Sequence, residues 1–184
     1  MKKNPQYKEF IKWLIQMIIL ALVLFISVQL VFKFILSKDV VSGISMEQTF
    51  NNGDRLLTYR LGDIKRGDIV VLNAPDQPGT LYIKRVIGLP GDRVRSKNDV
   101  LYVNGKRIAE KYLTKYNNNG NYFTRNFTLQ SRLGVSKVPK GHYFVLGDNR
   151  PVSKDSRYIG FIKKKAIIGK VKFRYWPLYK LHFY

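Results

Sequence analysis

Three stretches of this chain hold side chains able to do covalent chemistry. The first is Ser42-Gly43-Ile44-Ser45-Met46-Glu47-Gln48-Thr49, with Ser45 as the candidate nucleophile. The second is Tyr82-Ile83-Lys84-Arg85-Val86-Ile87-Gly88-Leu89-Pro90-Gly91-Asp92, with two cations inside a β-branched run. The third runs from Gly141 to Arg157 and includes Gly147-Asp148-Asn149, Ser153, Asp155 and Arg157. A serine hydroxyl is a poor nucleophile unless a base takes its proton. At the ordinary lysine pKa near 10.4, only roughly one amine in a few thousand is neutral at pH 7. Lys84 can therefore act as a base only if burial brings its pKa down to roughly 6–8. Each stretch alone has a plainer reading. Ser45 is then a turn residue, Lys84 and Arg85 are snorkelling surface cations, and the third stretch is a structured loop with a local Asp155–Arg157 ion pair.

What positions these residues is β-type sequence. Short runs at Arg55–Arg60, Asp68–Leu72, Leu81–Ile87, Tyr143–Leu146 and Ile168–Tyr175 are separated by Gly, Pro, Asn and Asp. Alternation along such a strand sends Lys84 and Arg85 to opposite faces, so only one of them shares the face of Tyr82 and Val86. An inward Lys84 would be desolvated. Val100–Val103, Asn104-Gly105 and Lys106–Ile108 form a hairpin signature, because Asn-Gly supplies the two positive-φ residues of a type I′ turn. Leu89-Pro90-Gly91-Asp92 predicts another turn, and Asn117–Asn121 an exposed loop. No helical periodicity of useful length appears in this region before the C-terminus. The expected fold is mainly β, built of antiparallel sheets.

The N-terminal region differs. From Trp13 to Phe32 the chain is apolar except for Gln16, Ser27 and Gln29. Twenty residues at about 1.5 Å each give roughly 30 Å, the thickness of a bilayer core. The expected organisation is a cytoplasmic tail over 1–12, a transmembrane anchor over 13–36 and an extracytoplasmic catalytic domain over 37–184. Lys2, Lys3, Lys8 and Lys12 before the helix favour a cytoplasmic N-terminus. The eight residues between Leu36 and Ser45 span at most about 29 Å, which keeps Ser45 near the outer leaflet. The net charge is +21, of which residues 1–36 hold +4 (five lysines against Glu9), leaving +17 on the rest. That charge suits an anionic lipid surface. Nucleic acid is not an expected partner outside the plasma membrane.

Other chemistries find little support. Cysteine is absent, which removes a thiolate nucleophile and a disulfide framework. The two histidines, His142 and His182, suggest no triad, and the acids show no paired metal-ligand spacing, so neither metal nor cofactor is expected. A self-cleaving Ser-Lys repressor would need a helical DNA-binding domain where this chain has its apolar segment.

Taken together, the anchor, the Ser-Met stretch, the Lys-Arg stretch, the Asn-Gly hairpin and the Gly-Asp-Asn stretch resemble, in order, the bacterial type I signal peptidases of the Gram-positive form. The resemblance covers nearly the whole chain. It implies a signal-peptidase-like β domain in which Ser45 attacks the scissile carbonyl and Lys84 removes its proton. Ser153 would help hold the lysine, and Asp155 and Arg157 would brace the site as an ion pair. The implied substrates are signal-peptide-bearing precursors cut after small residues at −3 and −1, each bound as an added β-strand. Two positions depart from the family pattern. Gln48 stands where proline is usual, and Gly43 where some members place an oxyanion-hole serine, which leaves the Ser45 N–H as main donor. The alternative is a non-catalytic or narrowly specialised factor on the same fold, serving pilus or surface-protein assembly. Such a factor would not be labelled by a serine-directed probe.

Overall fold

The computed structural model describes residues 5–113 and 123–184; the expected loop Asn117–Asn121 lies outside the described residues. The chain divides into two compact units, Met1–Ser37 and Lys38–Tyr184.

The first unit is dominated by helix α1, Pro5–Phe34. Proline suits the first turn, where its missing N–H costs nothing, and no glycine or further proline interrupts the run. Ser27 Oγ donates to the Val23 carbonyl at 2.8 Å, so its hydroxyl stays satisfied on an apolar helix. Over Gln6–Phe34 the helix is long and apolar enough to cross a membrane. Its bounds differ from the expected 13–36 segment at both ends. Hydropathy marks only the apolar run, whereas Gln6–Lys12 are helix-compatible residues and Lys12 pairs with Glu9 at 2.9 Å. Leu36 already belongs to a strand.

Twelve strands are found among the described residues. In chain order they are β1 (Leu36–Val40), β2 (Arg55–Tyr59), β3 (Ile69–Asn73), β4 (Leu81–Gly88), β5 (Val94–Lys97) and β6 (Val100–Val103). Then follow β7 (Lys106–Arg107), β8 (Phe127–Thr128), β9 (His142–Leu146), β10 (Ile162–Lys163), β11 (Ile167–Trp176) and β12 (His182–Phe183). The larger sheet has the order β1-β2-β11-β3-β4-β9-β10, with β12 on β11; the smaller has the order β7-β6-β5-β8. All the pairings between β2 and β12 are antiparallel. The mainly β expectation holds.

The Asn-Gly hairpin forms as its sequence requires. Val103 pairs with Lys106, while Asn104 and Gly105 take φ of 52° and 81°. The Leu89–Asp92 turn also forms, closed by the Asp92 N–H on the Leu89 carbonyl at 3.0 Å. Two short helices, α2 (Leu129–Leu133) and α3 (Ser156–Ile159), were not expected. Both are too short to show a periodicity. Their signal lies in the caps: Thr128 with Ser131, and Asp155 accepting from the Arg157 N–H.

Two core clusters matter for the site. Val41, Met46, Phe50, Leu56, Ile69, Val71 and Val171 pack under the Ser45 turn. Ile87, Val94, Leu101, Val103, Phe127, Phe144 and Leu146 join the small sheet to β4 and β9. β4 is central in the larger sheet, and every residue from Lys84 to Gly88 is buried.

Candidate active site

Ser45 sits on a turn between β1 and β2. Met46 and Phe50, both almost fully buried, pin that turn to the core. Its backbone is closed by Glu47 N–H on the Ile44 carbonyl (3.1 Å) and by Thr49 and Phe50 N–H on the Met46 carbonyl (3.0 and 2.8 Å). The Gly147-Asp148-Asn149 stretch after β9 clasps the same turn. Asn149 N–H donates to the Ser45 carbonyl at 3.0 Å, and its side-chain amide donates to the Ile44 carbonyl and to Glu47 Oε2, both at 3.1 Å.

Lys84 comes from β4, in register with Val70 of β3. It is 3% exposed, and its Nζ donates to Ser45 Oγ at 2.7 Å. The Tyr82 ring lies 5.1 Å from the same nitrogen. Burial lowers the Lys84 pKa to about 8, against the opposing pull of the Asp155, Asp148 and Asp76 carboxylates. Near neutrality an appreciable fraction of this amine is thus unprotonated beside a hydroxyl. That arrangement can transfer a proton from serine and so generate a nucleophile.

Gly147 explains how closely the parts approach. A Cβ placed there would lie 2.1 Å from Ser153 Oγ and 2.5 Å from the Ser45 carbonyl oxygen. Only glycine fits. Asp155 is fully buried and saturated with donors: Gly147 N–H at 3.0 Å, Arg157 Nε at 2.8 Å and Arg157 Nη2 at 2.8 Å. Arg157 Nη2 also reaches the Arg150 carbonyl at 2.7 Å. The ion pair expected from sequence thus supports the loop that clasps Ser45.

Ser153 Oγ is buried with no hydrogen-bond partner among the described residues, and the bond given for Lys84 Nζ is to Ser45 Oγ. Ser153 stands over Gly147, its N–H bonded to the Asn149 carbonyl at 3.0 Å. Gly43 takes φ +88°, and its N–H donates to Asn52 Oδ1 at 3.0 Å. Gln48 takes φ +90°. A proline ring, fixed near −65°, cannot follow that path, so the chain turns behind Ser45 along a route closed to proline.

Sequence reasoning missed a second buried pair. Arg85 grips Asp148 with two bonds, Nε to Oδ1 at 2.9 Å and Nη2 to Oδ2 at 2.7 Å, and donates from Nη1 to the Gly67 carbonyl at 3.0 Å. Its guanidinium lies 3.8 Å from the centre of the Tyr112 ring. It also missed Arg150, 1% exposed, which donates to the Gly147 carbonyl and Thr124 Oγ1 and pairs with Glu110. The signal for Arg85 was available: a cation inside a β-branched strand that is covered on both faces must bury its charge against a partner. Among the described residues no three His, Asp or Glu side chains converge as metal ligands. Ser45 and Lys84 open onto a cleft of about 110 Å³, walled by Val41, Met46, Val71, Tyr82 and Ile83.

Known proteins share this architecture. Residues 10–176 match the family model of signal peptidase, peptidase S26. Signal peptidase I of Bacillus caldolyticus is 48% identical over 156 residues, covering 82% of this chain and 85% of that protein. Signal peptidase IB of Staphylococcus aureus (strain Mu50) is 42% identical over 181 residues, covering 92% of this chain and 91% of its own. The crystal structure of a signal peptidase I from Enterococcus faecalis V583 superposes with a TM-score of 0.55 at 39% identity, covering 60% of this chain and 97% of that one. The chain belongs to the signal peptidase family, peptidase S26, as a serine endopeptidase of the signal peptidase I type.

Proposed function

We propose that this chain is anchored in the plasma membrane by α1 and removes signal peptides from exported precursors with Ser45 as nucleophile and Lys84 as general base. The contact that carries this reading is the 2.7 Å bond between Lys84 Nζ and Ser45 Oγ. The neutral amine takes the hydroxyl proton as Oγ attacks the scissile carbonyl. The ammonium then returns that proton to the leaving amine, and the same base activates the water that releases the acyl group. The Ser45 N–H is the expected oxyanion donor, with Ser42 on the wall of the same cleft. Asp155, Arg157, Ser153 and Gly43 shape the surroundings and take no proton.

A precursor fits the cleft as an added strand beside Val40–Gly43 and Leu81–Lys84, whose residues line it. A volume of about 110 Å³ suits small side chains at −1 and −3. The four N-terminal lysines favour a cytoplasmic N-terminus and an extracytoplasmic domain. Contact with anionic lipid is supported by the exposed Trp176, Leu178, Tyr179, Leu181 and Phe183 on the β11–β12 hairpin. Arg55 lies over the Trp176 ring and Lys180 over the Tyr179 ring, a mixture typical of membrane interfaces.

The test is cleavage of a signal-peptide-bearing precursor by the full chain in detergent. Ser45→Ala and Lys84→Ala should each abolish product while the protein remains folded. Normal processing by either variant would remove the dyad. Depletion in cells should leave uncleaved exported precursors at the membrane, and their identities give the substrate range.

A further inference from the structure

We propose that the outer face of the smaller sheet binds a linear phosphodiester polymer with a polyol backbone, seated along β5. The site is separate from catalysis: it shares no lining residue with the Ser45–Lys84 cleft.

β5 alternates between core and solvent. Val94 and Ser96 are buried, while Arg95 and Lys97, with Arg93 just before the strand, are exposed. At about 3.3 Å per residue the three cations recur roughly every 6–7 Å along one line. Strand pairing extends that face sideways: Arg107, Tyr102, Arg95 and Thr128 stand in register across β7, β6, β5 and β8. Two hollows of about 300 and 360 Å³ share Arg95 and Thr128, with Arg93 lining the first and Lys97 the second. Their floor is apolar, from Val94, Phe127 and Leu129. Asn126 Oδ1 and Thr128 Oγ1 accept the N–H groups of Asn98 and Ser131 at 2.8 and 3.0 Å, so each side chain keeps a donor of its own.

Among the described residues no acid pairs with Arg93, Arg95, Lys97 or Arg107. Residues 93–137 hold ten lysines and arginines against two acids, Asp99 and Glu110. Both acids are committed, Asp99 to the Thr124 N–H and Glu110 to the buried Arg150. Evenly spaced, unpaired cations suit a chain that carries one negative charge per repeat, because each phosphate engaged releases its counterion. The arginine forks match phosphate oxygens in pairs, and the remaining amide and hydroxyl donors suit a polyol phosphate.

Other polyanions fit this face less well. Single-stranded nucleic acid needs aromatic faces for its bases, and Tyr102 already carries the Arg95 guanidinium 4.6 Å from its ring centre. An acidic peptide that binds as a strand needs a free edge, and β5 is paired on both sides, by β6 and β8. A layer of lipid headgroups is flat and does not enter the two hollows.

The test measures binding of a fluorescent synthetic poly(glycerol phosphate) to the full chain in detergent. At about 0.15 M salt, screening beyond about 8 Å suppresses the pull of distant charges. Arg93→Gln, Arg95→Gln and Lys97→Gln combined should weaken binding about 30-fold or more. Lys163→Gln, Lys164→Gln and Lys165→Gln combined remove the same charge from exposed positions outside the groove, and should change it less than about threefold. Thermal melts report whether each variant is folded; if the groove triple melts early, Arg95→Gln alone carries the test with a loss of about fivefold. Three results would overturn the proposal: no binding, equal loss in the two triple variants, or tighter groove-dependent binding of oligo(dT), poly-L-glutamate or phosphatidylglycerol micelles.

Discussion

Lys84 and Arg85 are consecutive on one strand, and each buries its charge against a different segment of the site. Lys84 Nζ bonds Ser45 Oγ at 2.7 Å, while Arg85 takes both oxygens of Asp148, two residues past the end of β9. Asp148 is flanked by Gly147 and Asn149, which touch the Ser45 turn directly. The strand that delivers the base thus also fixes the loop that clasps the nucleophile.

This pairing can be tested through stability. Asp148→Ala leaves the Arg85 guanidinium buried without its carboxylate, and breaking such a pair costs about 3–5 kcal/mol. Denaturant unfolding of the full chain in detergent should show a clear fall in midpoint, with activity lost as the clasp loosens. An unchanged midpoint would remove Arg85–Asp148 from the account.

Lys84 should carry a pH signature in stability as well as in rate. Its pKa is about 8 in the folded chain against 10.5 ordinarily. A lysine whose folded pKa is lowered weakens the fold at pH values below about 8, where it is charged in both states. That penalty lifts as pH rises from about 8 to 10.5, because the unfolded chain then holds the proton longer. At 1.36 kcal/mol per pH unit the penalty is about 3 kcal/mol. Lys84→Met should therefore be inactive yet more stable than wild type at pH 7, with the gap closing towards pH 10. A Met variant less stable at pH 7 would contradict a desolvated lysine.

Gly147 leaves no room for a methyl group. Gly147→Ala must displace either Ser153 or the Ser45 carbonyl, both within 2.5 Å of the new atom. Precursor cleavage should fall by at least about 100-fold, since misplacing a reacting group by about 1 Å has that effect. Retained activity would show that the loop can move away freely.

At Gln48 the backbone itself makes the prediction. A non-glycine residue at φ +90° carries strain that glycine does not. Gln48→Gly should stabilise the fold by about 0.5–1 kcal/mol, and Gln48→Pro should destabilise it by more than that, because proline cannot take positive φ. Thermal melts of the two variants should move in opposite directions.

Much of this was legible in the sequence where a residue's own chemistry dictates the backbone. Asn104-Gly105, Leu89–Asp92 and the alternating runs gave the hairpin, the turn and the principal strands, because positive φ and period-two burial are local properties. Ser45 and Lys84 were legible as residue types, but their contact depends on β4 passing beneath the β1–β2 turn, which is a matter of topology. The burial of Arg85 was not legible because alternation sends it to the face opposite Lys84 and implies solvent there, and a central strand has no solvent face. The position of the Ser153 hydroxyl over Gly147 depends on the path of the loop after β9 and was not legible in its residue type. α1 begins ahead of the apolar run because Gln6–Lys12 are polar residues that a helix accepts and that hydropathy does not detect.

The central claim is that Lys84, buried and bonded to Ser45, activates that serine. The most direct measurement is the rate at which a serine-directed electrophile labels the full chain from pH 5 to 10, with the modified residue located by mass spectrometry. The account expects the label on Ser45, a rate rising about tenfold per pH unit to a plateau above about pH 8, and loss of labelling in Lys84→Met. A label on another residue, or a rate on Ser45 that is flat with pH and survives the Lys84→Met change, would contradict it.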